Sequence, residues 1–134
     1  MIMETPNITK DHVEEIFSIL QSRIEALRNE YKDKIKHSFS REDYYYHGEC
    51  VGSLTACKQI SSMLETKRVH SLRQAKQIVF ELVTIHLSLC ILQKNMDAGT
   101  KDSFFRQGEI YIYSQCIEEL EEELGYEFPF EIKF

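Results

Sequence analysis

The sequence predicts an all-α protein, an antiparallel up-down four-helix bundle forming one domain over residues 1–134, with a short extended C-terminal tail. Three observations carry that prediction. Apolar residues recur at helical spacing in four segments of nearly equal length. Each segment opens on a residue suited to capping a helix: Thr9, Ser40, Ser71 and Thr100. The chain holds only five glycines and two prolines, so little interrupts those segments.

The first helix is expected over 9–37. Val13, Phe17, Leu20, Ile24, Leu27 and Tyr31 follow alternating four- and three-residue steps, the seam by which one helix packs against another. Glu14, Glu15, Arg23, Glu25, Arg28 and Glu30 fall on the other side and read as a solvated face. The turn that follows contains neither Gly nor Pro, so continuity into the next helix stays open. A break is preferred because Ser40, followed by Glu42 and Asp43, makes a good cap with acids in the first turn.

The second helix, expected over 40–66, carries Tyr46, Glu49, Ser53, Ala56, Ile60 and Leu64 on one face. Gly48, Gly52 and Ala56 lie beside it at four-residue steps, and small residues at that spacing let another helix approach closely. The third helix, expected over 71–96, starts with a Ser71–Gln74 capping box and is apolar almost all round. Such a helix is expected to be the innermost of a bundle, and Glu81 and His86 interrupt it as a membrane span. The fourth, expected over 100–124, follows the turn at Asp97–Thr100 and turns Glu109, Tyr113, Cys116 or Ile117, Leu120 and Leu124 inward before Gly125 caps it. Its acidic run, Glu118 to Glu123, reads as the exposed side.

In the tail, 126–134, Tyr126, Phe128, Phe130, Ile132 and Phe134 alternate with other residues and share one side of an extended strand. Five such groups, at about 1.5–3 kcal/mol for each fully buried side chain, demand cover from the bundle or from another chain. A short internal likeness also appears: Tyr44–Glu49 (YYYHGE) matches Phe104–Glu109 (FFRQGE), placing the starts of the second and fourth helices in equivalent settings.

Composition narrows the function. A formal net charge of −6 argues against a duplex nucleic-acid binder, which would cluster Lys and Arg against phosphates. Cys50, Cys57, Cys90 and Cys116 sit within apolar helical patterns without zinc spacing, and read as small core residues of a reducing, cytoplasmic compartment. The start, MIMETPN, lacks the basic and apolar regions of a signal peptide, so neither export nor a membrane is expected.

Two constellations are candidates for chemistry. Tyr44, Tyr45, Tyr46, His47, Phe104, Phe105, Arg106 and Gln107 gather at one end of the expected bundle, with Arg41 nearby. Aromatic faces beside Arg and His suit a stacked base and its phosphate; the same residues also suit a plug closing the bundle end. Deeper, Glu49, His86 and Glu109 fall at comparable depth on inward stripes and are expected to form a buried polar layer, with Arg106 one turn before Glu109. No metal or other cofactor is expected, because the Glu-x-x-His pairs of di-iron bundles are missing.

Arg41 and His47, in Arg-Glu-Asp-Tyr-Tyr-Tyr-His, have the Arg-x5-His spacing that resembles the ribonuclease motif of HEPN domains, themselves small helical bundles. The resemblance implies that Arg41 and His47 activate a ribose hydroxyl and stabilise phosphate charge, often across a dimer. The residues themselves read instead as a non-enzymatic regulatory module. It is expected to work through a protein partner and a homodimer in which the tail takes part. The alternatives are a small-ligand or nucleotide binder using the aromatic end, and the HEPN-like ribonuclease.

Overall fold

The computed structural model describes residues 9–38 and 44–125, with the backbone alone at Tyr44. Expectations that rest on Ser40, Arg41, the Tyr44 side chain, or Tyr126, Phe128, Phe130, Ile132 and Phe134 lie outside the described residues. Four helices make up the rest: α1 Lys10–His37, α2 Tyr44–Thr66, α3 Leu72–Lys94 and α4 Lys101–Leu124.

Three N-caps are where the sequence places them. The side chains of Thr9, Ser71 and Thr100 accept the backbone N–H of His12, Gln74 and Ser103 at 3.2, 3.2 and 3.1 Å, satisfying donors that the first turn leaves free. The reciprocal half of the Ser71 box differs from the expected pattern. Gln74 Oε1 accepts from the His70 N–H at 2.7 Å, one residue before the cap. Helix α3 stops at Lys94 rather than 96, because Asn95 leaves helical geometry at φ −90°, ψ 1° and Gly99 turns the chain at φ 83°. Gly125 closes α4 in the left-handed region, at φ 63° and ψ 31°.

The centre of the molecule is the crossing of α2 and α4. These two helices run in the same direction: the Tyr45 and Phe104 rings lie 4.8 Å apart near their starts, and the Tyr113 hydroxyl donates to Gln59 Oε1 at 3.0 Å further along. Two glycines allow the approach. A Cβ on Gly52 would stand 1.9 Å from the Phe105 carbonyl oxygen, and one on Gly108 would stand 2.1 Å from that of Glu49. Both distances are far inside van der Waals contact, so the backbones touch where any side chain would part them.

On one flank α1 lies antiparallel to α2, joined by Ser38 Oγ to His47 Nδ1 at 2.9 Å and by the Ser61 hydroxyl donating to Glu25 Oε1 at 2.6 Å. On the other flank α3 lies antiparallel to α4, with Gln93 Nε2 donating to the Ser103 carbonyl at 3.2 Å. Helices α2 and α3 do not approach each other. Val13, Leu20, Ile24, Ile60, Leu82, Ile112, Tyr113 and Leu120 are essentially inaccessible and form one core across all four helices. Cys116, not Ile117, takes the inward position on α4.

Two expectations about burial are corrected here. Helix α3 is not innermost: Ala75, Ile78, Val79, Leu82, Val83 and Leu89 are buried, but Phe80, Leu87, Ile91 and Leu92 are 37–52% exposed. The paired glycines give the central place to α2 and α4, which leaves α3 only one inward side. Tyr46 is 47% exposed rather than inward, at the edge of α2 where it meets Cys50 and Lys34.

Candidate functional site

Among the described residues the aromatic end brings together one pair of rings and one cation over a ring. Tyr45 meets Phe104, whereas the Phe105 ring lies 5.6 Å under the Arg106 guanidinium. That guanidinium is committed, since Arg106 Nη1 donates to Glu109 Oε1 at 2.6 Å. His47 is drawn away to the end of α1, where Ser38 Oγ also donates to the Ile35 carbonyl. Ser38 is 3% exposed, so this Ser–His contact ties α1 to α2 and offers no accessible nucleophile.

Of the three residues expected to form a buried polar layer, Glu109 is buried while Glu49 and His86 are half-buried. Glu109 is 2% exposed; burial raises its pKa, while the hydrogen bond and charge of Arg106 work in the opposite direction. The internal likeness sets Tyr46 where α4 has Arg106, so Glu49 gains no cation one turn earlier and stays half-buried. His86 is half-buried on α3, its pKa lowered by burial, with Nε2 4.0 Å from the Cys90 sulfur. No group of three or more His, Cys, Asp or Glu gathers at metal-binding distance among the described residues.

Two features that sequence reasoning missed stand out. The first is a cleft of about 570 Å³ between α1 and α4, floored by Ile24, Leu27 and Cys116 and walled by Tyr31 and Tyr111. Arg23 pairs with Glu119 at 2.5 Å at one end, and Lys34 pairs with Glu30 at 3.0 Å at the other. Lys34 also lies over the Tyr31 ring at 5.1 Å. Burial raises the Tyr31 pKa, with its hydrogen bond to Ser53 acting against that shift. The cleft's two aromatic walls suit a flat ligand, although both cations already face carboxylates. Tyr31 was legible as a seam residue, but Tyr111 belongs to another helix, and periodicity does not say which helices meet.

The second feature is the outward face of α3. Among the described residues eight large hydrophobic side chains are exposed, and Phe80, Leu87, Ile91 and Leu92 are four of them. Phe80, Leu87 and Ile91 share one stripe at helical spacing, with Leu92 on its flank. Between them Thr84 and Ser88 donate their hydroxyls to the carbonyls of Phe80 and Thr84, both at 2.9 Å. Those bonds turn two polar positions inward on the helix, so the stripe presents more hydrocarbon than its sequence suggests. Helix α3 also carries three basic residues, Arg73, Lys76 and Lys94, against one acidic, Glu81, in a chain of net charge −6.

The thiols are not poised for catalysis. Burial pushes Cys57 up to about 11 and Cys116 up to about 12, and raises Cys50 and Cys90 as well. Comparison with family models, with characterised proteins and with solved structures returns no match.

Proposed function

We propose that this chain is a non-enzymatic interaction module of the cytoplasm, which docks a protein partner on the outward face of α3 and self-associates through the same face. The observation that carries this reading is the stripe of Phe80, Leu87, Ile91 and Leu92, exposed on a helix whose other side supplies the core. Apolar stripes on a surface that is otherwise charged are where partners dock. The three basic residues of α3 favour a partner segment that is apolar with acidic flanks. Four free cysteines, three of them fully buried, support a reducing compartment.

By length and composition α3 is also apolar enough to cross a membrane, with 33% of that stretch buried. The protein reading is favoured because the inner side of α3 is already committed to the core through Ala75, Ile78, Val79 and Leu82. Light scattering over a concentration series separates the readings. The wild-type chain is expected to associate reversibly, and the exposed double substitution Leu87→Lys/Ile91→Lys to stay monomeric with stability changed by no more than about 0.5 kcal/mol. A wild type that is monomeric throughout, or an association indifferent to the two lysines, contradicts the proposal. Flotation with lipid vesicles that the same substitutions abolish would replace the partner protein with a membrane surface.

A second reading rests on the cleft between Tyr31 and Tyr111, which suits a planar ligand. Thermal-shift screening with nucleotides tests it, since a ligand at 100 times its dissociation constant adds about 2.7 kcal/mol.

A further inference from the structure

We propose that His86, Cys90 and Met96 form a binding site for a soft metal ion, Cu(I), at the C-terminal end of α3. The site is independent of the docking reading, since the stripe of Phe80, Leu87 and Ile91 supplies none of its donors.

Spacing supplies the first argument. His86 and Cys90 are one helical turn apart, so their side chains fall on the same side of α3. His86 Nε2 stands 4.0 Å from Cys90 Sγ, at the outer limit of a hydrogen bond to sulfur. A metal ion joins such a pair with bonds of about 2.3 Å to sulfur and about 2.0 Å to nitrogen. Where three donors spread around the ion at about 120°, those bonds set sulfur and nitrogen about 3.8 Å apart. The two donors therefore already stand close to the separation that a trigonal ion requires. The other ring nitrogen, Nδ1, is enclosed and has no hydrogen-bond partner among the described residues, so no bond holds the imidazole against the small movement that remains.

The chain beyond the helix brings the third donor. Helix α3 ends at Lys94, and the Met96 N–H donates to the Gln93 carbonyl at 3.0 Å, which turns the chain back. Met96 and Cys90 consequently line one cavity of about 540 Å³. Gln93 Nε2, donating to the Ser103 carbonyl at 3.2 Å, ties that cavity to the start of α4. His86, Cys90 and Met96 are all partly exposed, so an ion reaches them from solvent.

Donor chemistry selects the ion. The missing Glu-x-x-His pairs bear on di-iron sites alone. Thiolate and thioether are soft donors, and together with imidazole they suit Cu(I). Zinc asks for four ligands drawn from Cys, His and carboxylate, a set these residues do not make. The charged residue lining the cavity is Lys94, and no carboxylate lines it. Binding replaces the Cys90 S–H bond with an S–Cu bond and releases the proton to water, while the copper stays Cu(I). One thiolate cancels its single charge, so the centre is neutral beside Lys94, where a divalent ion would leave a positive charge.

The test titrates reduced full-length protein, under argon, against Cu(I) held as its coloured bicinchoninate complex. Wild type is expected to withdraw one equivalent per chain. Loss of even an outer partner of a metal ligand weakens binding about 10–100-fold, so Cys90→Ser is expected to cost at least about 100-fold, and His86→Ala and Met96→Leu at least about tenfold each. No withdrawal by wild type overturns the proposal. Binding that Cys90→Ser leaves intact also overturns it, because the copper then sits on other thiols. Equal affinity in wild type, His86→Ala and Met96→Leu does the same, since a single thiolate would be the whole site. Cu(I) is diamagnetic, which gives a readout free of substitutions: one equivalent is expected to shift the methyl resonance of Met96 and leave that of Met63, packed against the core, in place. An unmoved Met96 resonance overturns the proposal whatever the variants do.

Discussion

At Gly52 and Gly108 a single methyl group decides whether the central crossing can form. An added Cβ meets backbone at 1.9 and 2.1 Å, whereas at Gly48 the nearest atom, the Lys101 carbonyl oxygen, is 3.4 Å away. Gly52→Ala and Gly108→Ala are each expected to cost about 1–3 kcal/mol in urea unfolding, because the helices must separate to admit the methyl. Gly48→Ala is expected to be neutral or to stabilise by up to about 1 kcal/mol, since alanine is the better helix former. The four-residue steps of Gly48, Gly52 and Ala56 made a close contact legible in the sequence. They did not name its partner, because spacing along one helix reports a face and never the helix that meets it.

Glu109 carries a pH signature. Its folded pKa is raised by burial, so the folded protein holds the proton more tightly than the unfolded chain does. Stability from this group is therefore fully present below the ordinary carboxylate pKa and is lost as pH rises through the folded value. Glu109→Gln removes that loss. The melting temperature of the variant relative to wild type is expected to rise between pH 4.5 and pH 7; a difference that stays flat or falls contradicts the assignment. Its burial could be read from the inward stripe of α4, as could the Arg106 partner three residues earlier. That Glu49 and His86 are only half-buried could not, because equal depth along a bundle axis says nothing about how far each side chain turns from the core.

At the scale of elements the helices were legible and their places were not. Thr9, Ser71 and Thr100 cap α1, α3 and α4 because their hydroxyls answer a local need of the next three residues, which a sequence states directly. The position of α3 depends on competition among all four helices, and total apolarity was a poor guide to it. Glycine contacts outrank it at the centre: close approach at Gly52 and Gly108 gains packing along both backbones, which bulky α3 side chains cannot match. The surplus apolar side of α3 then faces outward. That surplus is the element-scale reason for expecting Leu87→Lys/Ile91→Lys to leave folding intact while abolishing association.

For the whole molecule, one core extends through four helices, and its cysteines test how tightly it closes. Cys50, Cys57 and Cys116 are buried and all four thiols have raised pKa values. Alkylation of the native protein at pH 8 is expected to modify Cys90 slowly and the other three not at all, with all four reacting in denaturant; rapid native labelling of Cys57 or Cys116 would contradict the described packing. Methyl nuclear magnetic resonance over a dilution series reports whether α3 is the face the molecule offers to others. Resonances of Leu87, Ile91 and Leu92 are expected to shift with protein concentration while those of Leu20, Leu82 and Leu120 in the core stay fixed. Concentration-dependent shifts confined to the outer faces of α1 or α2, or no shifts at any concentration, would contradict it.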